Sequence, residues 1–155
     1  MKLNFTKMQG AGNDYIYIDC RAAGLPPDAA AWAVQLSRRH FSVGADGVIY
    51  LCPPLRADGD AAMRMFNADG SEDKMCGNAI RCVGKYLFDF HKTDKTSLKI
   101  ETLSGIKTLE LFVKEGKVRR VRVDMGPPEL LAKKIPVTLD GGKEGRIVNR
   151  ETEIA

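Results

Sequence analysis

The sequence predicts an α+β fold of many short, mostly hairpin-linked strands with one surface helix and one central helix. Three patterns carry this reading. Val121, Val123 and Met125 alternate with Arg120, Arg122 and Asp124, the period of a strand with one buried and one wet face. Ser104-Gly105 and Glu115-Gly116 separate the runs 97–103, 106–114 and 117–125 as tight turns between three strands. Within 76–90, Ile80, Val83, Gly84 and Leu87 share one helical face. The small residues Gly77, Ala79 and Gly84 let neighbouring backbone come close, so this helix is expected inside the domain.

From the N-terminus, residues 3–8 and 14–19 read as strands around the turn-rich loop 9–14. Pro26-Pro27-Asp28 opens a helix to about Arg39, with Asp28 near its start and Trp32, Val34 and Leu36 as apolar positions. A second glycine-bearing loop, 42–47, leads into a strand at 48–51. Residues 61–66 form a strand that ends in the turn Asn67-Ala68-Asp69-Gly70. Ser71, Glu72 and Asp73 read as caps of the buried helix. Gly126-Pro127-Pro128 breaks the pattern. Residues 1–125 are therefore expected to form an N-terminal domain, and 126–155 the start of a second, truncated one. Ile135-Pro136-Val137 reads as one more strand and 140–143 as a loop.

The chain has 155 residues, 44% hydrophobic and 28% charged with mixed signs, which suits a soluble globular protein. Its 24 basic and 20 acidic residues leave a net charge of +4. That excess suits a small anionic ligand. It does not indicate nucleic acid, because no segment interleaves basic with aromatic residues. The densest basic run, 117–122, alternates as a solvated sheet face. No apolar run approaches the ~20 residues of a membrane span, and the N-terminus lacks a signal-peptide core. With four cysteines and no such signal, a reduced, cytoplasmic protein is expected. Cys20, Cys52, Cys76 and Cys82 contain no Cys-x-x-Cys spacing and only two histidines accompany them, so no metal site is expected.

Met75-Cys76-Gly77-Asn78-Ala79-Ile80-Arg81-Cys82 follows a polar turn and places Cys76 in what reads as the first turn of a helix. A free thiol titrates near roughly 8.5 and a helix N-terminus lowers that. Such a group acts as nucleophile or general base. The plain alternative is a core cysteine, but the amides of Asn67 and Asn78 are wasteful in a core. Cys82 lies about 1.7 turns on and faces elsewhere; with Cys20 and Cys52 it reads as core. His40 and His91 read as surface or structural residues, so no Cys–His pair is supported. The loop Gly10-Ala11-Gly12-Asn13-Asp14 lacks both the phosphate-loop Lys-Ser/Thr and the dinucleotide glycine pattern, so no nucleotide is inferred. Asn13 reads either as a ligand-binding amide or as a turn asparagine.

Four blocks resemble, in order and spacing, the N-terminal half of diaminopimelate epimerases over roughly residues 3–128. They are Lys7-Met8-Gln9-Gly10-Ala11-Gly12-Asn13-Asp14-Tyr15, Gly44-Ala45-Asp46-Gly47, Phe66-Asn67-Ala68-Asp69-Gly70-Ser71 and Met75-Cys76-Gly77-Asn78-Ala79-Ile80-Arg81-Cys82. The resemblance implies mostly antiparallel strands wrapped around a central helix. It also implies a cofactor-independent isomerase that interconverts LL- and meso-diaminopimelate on the route to lysine and peptidoglycan. In such enzymes two cysteines face each other across the substrate α-carbon, one removing a proton as thiolate and one delivering a proton as thiol. Cys76 matches the first of the pair. Gly77 and Asn78 match the helix-start residues that hold the reacting α-carboxylate. Asn13 and Asn67 match asparagines that recognise the distal amino-acid end. Without pyridoxal phosphate the α-carbanion needs a dry site with oriented donors.

Two departures accompany the resemblance. Relatives often carry glutamine, and frequently glycine, where this chain has Gly47. The family's second cysteine sits in a further domain, within an Ala-Cys-Gly-Thr/Ser-Gly motif that does not occur up to Ala155. The expectation is therefore an N-terminal half, inactive alone, that needs a C-terminal domain in cis or in trans. Its uncovered apolar face would favour homo-oligomers. The alternatives are a non-catalytic amino-acid- or partner-binding module of the same fold, or a related isomerase of the proline-racemase or phenazine-pathway type.

Overall fold

The computed structural model describes residues 2–90 and 92–135. The chain divides into two compact units, Met1–Met125 and Gly126–Ala155. In the second, the described residues hold a 3-10 turn, Ala132–Lys134, and a Lys134–Glu129 ion pair at 3.2 Å. Ile135 follows that turn. The rest of the strand expected at 135–137, the loop 140–143 and His91 lie outside the described residues.

The first unit contains β1 (Thr6–Gly10), β2 (Asn13–Asp19), α1 (Ala29–Ser37), β3 (Gly47–Cys52), β4 (Ala61–Asn67) and β5 (Glu72–Asp73). It continues with α2 (Gly77–Asp89), β6 (Ser97–Thr102), β7 (Gly105–Lys114) and β8 (Lys117–Val123). The strands form one sheet in the order β1-β2-β3-β4-β6-β7-β8, with β5 beside β4. Pairing is antiparallel except at β2–β3 and β4–β6. Each parallel pair is joined by a crossover that carries a helix.

Those crossovers place the helices on opposite faces. Both step in the same direction across the sheet, but β3 and β4 are antiparallel, so the starting strands β2 and β4 run in opposite senses. Right-handed crossovers then fall on opposite sides. The side chains agree. Tyr15, Tyr17, Ile49, Leu51, Met63 and Met65 pack with Ile80, Val83 and Leu87 of α2. Their alternates Ile16, Ile18, Val48, Tyr50 and Phe66 pack with Ala29 and Ala33 of α1. β2 and β3 are thus buried on both faces. α2 touches β1 and β2 on one side and β7 and β8 on the other, so the sheet curls round it as a half-barrel.

Turn chemistry sets the hairpins. Ala11 (φ 53°) and Gly12 (φ 85°) alone link the Gly10–Asn13 pair, and Glu115 (φ 55°) and Gly116 (φ 69°) do the same at Lys114–Lys117. Two consecutive positive φ angles are the turn whose twist matches that of the strands. The expected loop 9–14 is therefore only two residues long, and Asn13 and Asp14 belong to β2.

Several expectations are corrected. β1 starts at Thr6 rather than residue 3. α1 ends at Ser37 and buries Ala29, Ala33 and Ser37, while Val34 is exposed and Trp32 and Leu36 are half-buried. Its smallest side chains face the sheet because a bulky face would hold the helix off β3 and β4. β8 ends at Val123, and Met125 is exposed instead of extending a buried face. Ser71, Glu72 and Asp73 cap nothing, since α2 has no side-chain cap. Glu72 and Asp73 form β5, and Glu72 pairs with Arg64. No helix among the described residues is long and apolar enough to cross a membrane.

Candidate active site

Cys76 is the N-cap of α2 rather than part of its first turn. Its backbone is extended (φ −127°, ψ 120°), and its carbonyl accepts the Ile80 N–H at 3.0 Å. It is half-buried, whereas Cys20, Cys52 and Cys82 are buried as expected of core thiols. Burial raises the pKa of all three, that of Cys52 to about 11. They are neutral thiols enclosed in packing. Among the described residues no group of three or more His, Cys, Asp or Glu is arranged to hold a metal ion.

The structure brings Asn13 to Cys76. The Asn13 amide Nδ2 lies 3.7 Å from Sγ, although 63 positions separate the two in sequence. The other amide atom, Oδ1, is buried without a hydrogen-bond partner among the described residues. Tyr15, two residues along β2, completes this wall. Burial pushes its phenol up to about 12, and a side-chain hydrogen bond with Asn13 opposes that rise.

Gly77 and Asn78 open α2, where the first backbone N–H groups have no acceptor within the helix. Such a terminus suits a carboxylate. The Asn78 side-chain oxygen accepts from the Arg81 guanidinium one turn on. Gly10 permits the close approach of β1, since a Cβ there would stand 2.9 Å from the Asn78 carbonyl oxygen. Gly77, Asn78, Arg81, Val121, Val123 and Met125 line a cleft of about 300 Å³ beside this helix start. A more apolar cleft of about 280 Å³ lies at the opposite end of β3 and β4, next to Cys52 and away from Cys76.

Asn67 is held elsewhere. It ends β4 opposite Gly47, and its amide donates to Ser71 Oγ at 3.1 Å within its own turn. It is joined to the Asn13 strand through Asp46. The Asp46 backbone N–H donates to the Asp14 carbonyl (2.8 Å), its carbonyl accepts the Ala68 N–H (3.0 Å), and its carboxylate accepts the Asp14 N–H at 3.0 Å. Arg39 clamps Asp14 at 2.6 Å and Asp46 at 2.9 Å. Lys7 binds the Gly44 carbonyl at 2.5 Å and Asp14 at 3.0 Å. Three of the four sequence blocks are thus tied into one knot. Along the sequence Arg39 is marked only as the last residue of the expected helix, and no local pattern signals its place in this knot.

The knot has a pH signature. Hydrogen bonding from Arg39, then from Lys7, lowers the Asp14 pKa from 3.8 to about 2 despite partial burial. A depressed folded-state pKa stabilises the fold above the unfolded value and loses that effect as pH falls through the folded one. Arg39 is half-exposed, so screening reduces the contribution to about 1–2 kcal/mol. Asp14→Asn should therefore be less stable than the parent at neutral pH. The gap should close between about pH 4 and about pH 2. Urea midpoints across that range test this, and an unchanged gap would refute it.

The family pattern named Diaminopimelate epimerase matches residues 5–131. A diaminopimelate epimerase of Acetivibrio thermocellus is 52% identical over 138 residues, which is 89% of this chain and 48% of that protein. One from Methanococcus maripaludis is 52% identical over 137 residues, 87% of this chain and 48% of its own length. The chain spans about half the length of the curated relatives it matches. Among solved structures, a probable proline racemase from Agrobacterium radiobacter superposes with a TM-score of 0.61 at 18% identity, covering 79% of this chain and 41% of that one. A PhzF-family phenazine biosynthesis protein from Bacillus anthracis gives 0.58 at 23%, covering 76% and 38%. At such identities the two structures speak for the fold alone, and it is the expected one. The four blocks, the half-barrel around α2 and the two half-length matches at 52% identity converge: the chain belongs to the diaminopimelate epimerase family.

Proposed function

We propose that this chain supplies one proton-transfer face of a cofactor-independent epimerase acting on diaminopimelate, with Cys76 as the base. The observation that carries the reading is the placement of Cys76. It alone among the four cysteines is not buried, and it stands at a helix start with the Asn13 amide at its sulfur. As thiolate it takes the α-proton. Gly77 and Asn78 hold the α-carboxylate at the N-terminus of α2, which draws charge away from the developing carbanion. Asn13 and Asn67 serve substrate recognition.

Inversion needs an acid on the opposite face of the α-carbon. Cys20, Cys52 and Cys82 are enclosed in the core and poorly suited to that task. The second thiol is therefore proposed to come from a further domain, in cis or in trans, with residues 1–125 forming the first domain. The route served is lysine and peptidoglycan precursor synthesis, in the cytoplasm. The test is α-proton exchange from diaminopimelate in deuterated water. The 155-residue chain alone should exchange little, and adding the C-terminal half of a relative should restore exchange. Rapid racemisation by the chain alone would overturn the division of the site.

A further inference from the structure

We infer that Asn13 is a positioning residue for the Cys76 thiol, its side-chain N–H serving as the hydrogen-bond donor that holds the reacting sulfur as thiolate. The inference deepens the proposed function and rests on Cys76 being the base. Three observations carry it. The Nδ2–Sγ distance of 3.7 Å falls within the range of a hydrogen bond to sulfur. The amide's other atom, Oδ1, is buried with no partner among the described residues. Third, Asn13 has little freedom to move. It pairs with Gly10 directly after a two-residue turn, and its neighbour Asp14 is gripped by Arg39, Lys7 and Asp46.

The orientation of the amide follows from the chemistry. Turned the other way, Oδ1 would face the sulfur lone pairs and two N–H donors would be buried instead. A thiolate is a pure acceptor, so only the N–H side stabilises it, and hydrogen bonds to charged groups are the stronger ones. This orientation leaves the buried carbonyl oxygen, unpartnered among the described residues, for the substrate contact proposed for Asn13, and a purely structural turn asparagine would have no reason to bear that cost. The titratable groups of the surrounding elements are Tyr15 and Tyr17 of β2, Asp46 before β3, Asp73 of β5, and Arg81 and Cys82 of α2. Tyr15, Tyr17 and Cys82 are buried and uncharged at neutral pH, and Arg81 is engaged by Asn78.

Alkylation of Cys76 by iodoacetamide tests this without substrate, with peptide mass spectrometry separating Cys76 from the three core thiols. At neutral pH, Asn13→Ala should slow alkylation of Cys76 roughly three- to tenfold, and the isosteric Asn13→Asp at least as much. At strongly alkaline pH the Asn13→Ala rate should equal or exceed the parent rate, because a thiolate freed of its donor is the better nucleophile. Melting curves of both variants control for folding. Parent-like alkylation at neutral pH in folded Asn13→Asp would overturn the inference, as would a slowing in Asn13→Ala that persists unchanged at alkaline pH. Failure of the epimerase reading shows up separately, as absent α-proton exchange in the parent supplied with the C-terminal half of a relative.

Discussion

Replacing Gly47 with alanine is expected to destabilise the fold by about 3 kcal/mol, the upper end of the range for overpacking. A Cβ at this position would collide with the Phe66 carbonyl oxygen and stand 2.9 Å from Tyr15 Cε1 and 3.1 Å from Asn67 Cα. The first and last obstacles are backbone, which cannot rotate aside as a side-chain tip can. β3 must therefore separate from β4 at the Gly47–Asn67 pair, or Tyr15 must leave its place beside Asn13. Either movement disturbs the wall around Cys76, so ligand binding should weaken as well. Urea denaturation measures the stability term, and an alanine variant within about 0.5 kcal/mol of the parent would refute this account of the strand contact. In this chain Gly47 is required by packing before any question of substrate contact arises.

If Cys76 is the proposed base, Cys76→Ala should reduce α-proton exchange by about a hundred- to ten-thousandfold when the C-terminal half of a relative is supplied, the range that general-base catalysis typically contributes. The variant should fold normally. The side chain is half-buried at an N-cap that uses no side-chain bond, so melting should shift little. Cys82→Ala is the contrasting case, because its thiol is enclosed against β1 and β2 and its loss acts through packing. Exchange within tenfold of the parent in folded Cys76→Ala would dismiss this thiol as the base.

The parts of the fold that local chemistry controls were legible in the sequence. The turn at Glu115-Gly116 was legible, although Glu115 takes a left-handed angle usually left to glycine or asparagine, while the turn at Ala11-Gly12 was hidden inside a longer run of turn formers. α2 was legible because Ile80, Val83 and Leu87 are spaced for one face. The buried face of α1 was not. Ala29, Ala33 and Ser37 outrank Trp32 and Leu36 because the distance between helix and sheet decides what fits, and no periodicity encodes that distance. β5 was missed for a related reason. A two-residue strand has no pattern of its own and exists because β4 offers it an edge.

The parts of the candidate site were visible along the chain: a cysteine at a helix start, Gly77 and Asn78 directly after it, and two asparagines in turn-rich blocks. Those features follow from short-range rules of backbone and capping. How they meet depends on long-range pairing. It set Asn13 against Cys76, kept Asn67 in its own turn, and bound three loops through Asp46 and Arg39. The reason is topological. Contacts across dozens of positions depend on which strands pair and in which direction. The parallel β2–β3 pairing, which sets the loop before β3 beside the start of β2, needs a long crossover through α1, and no local pattern encodes it.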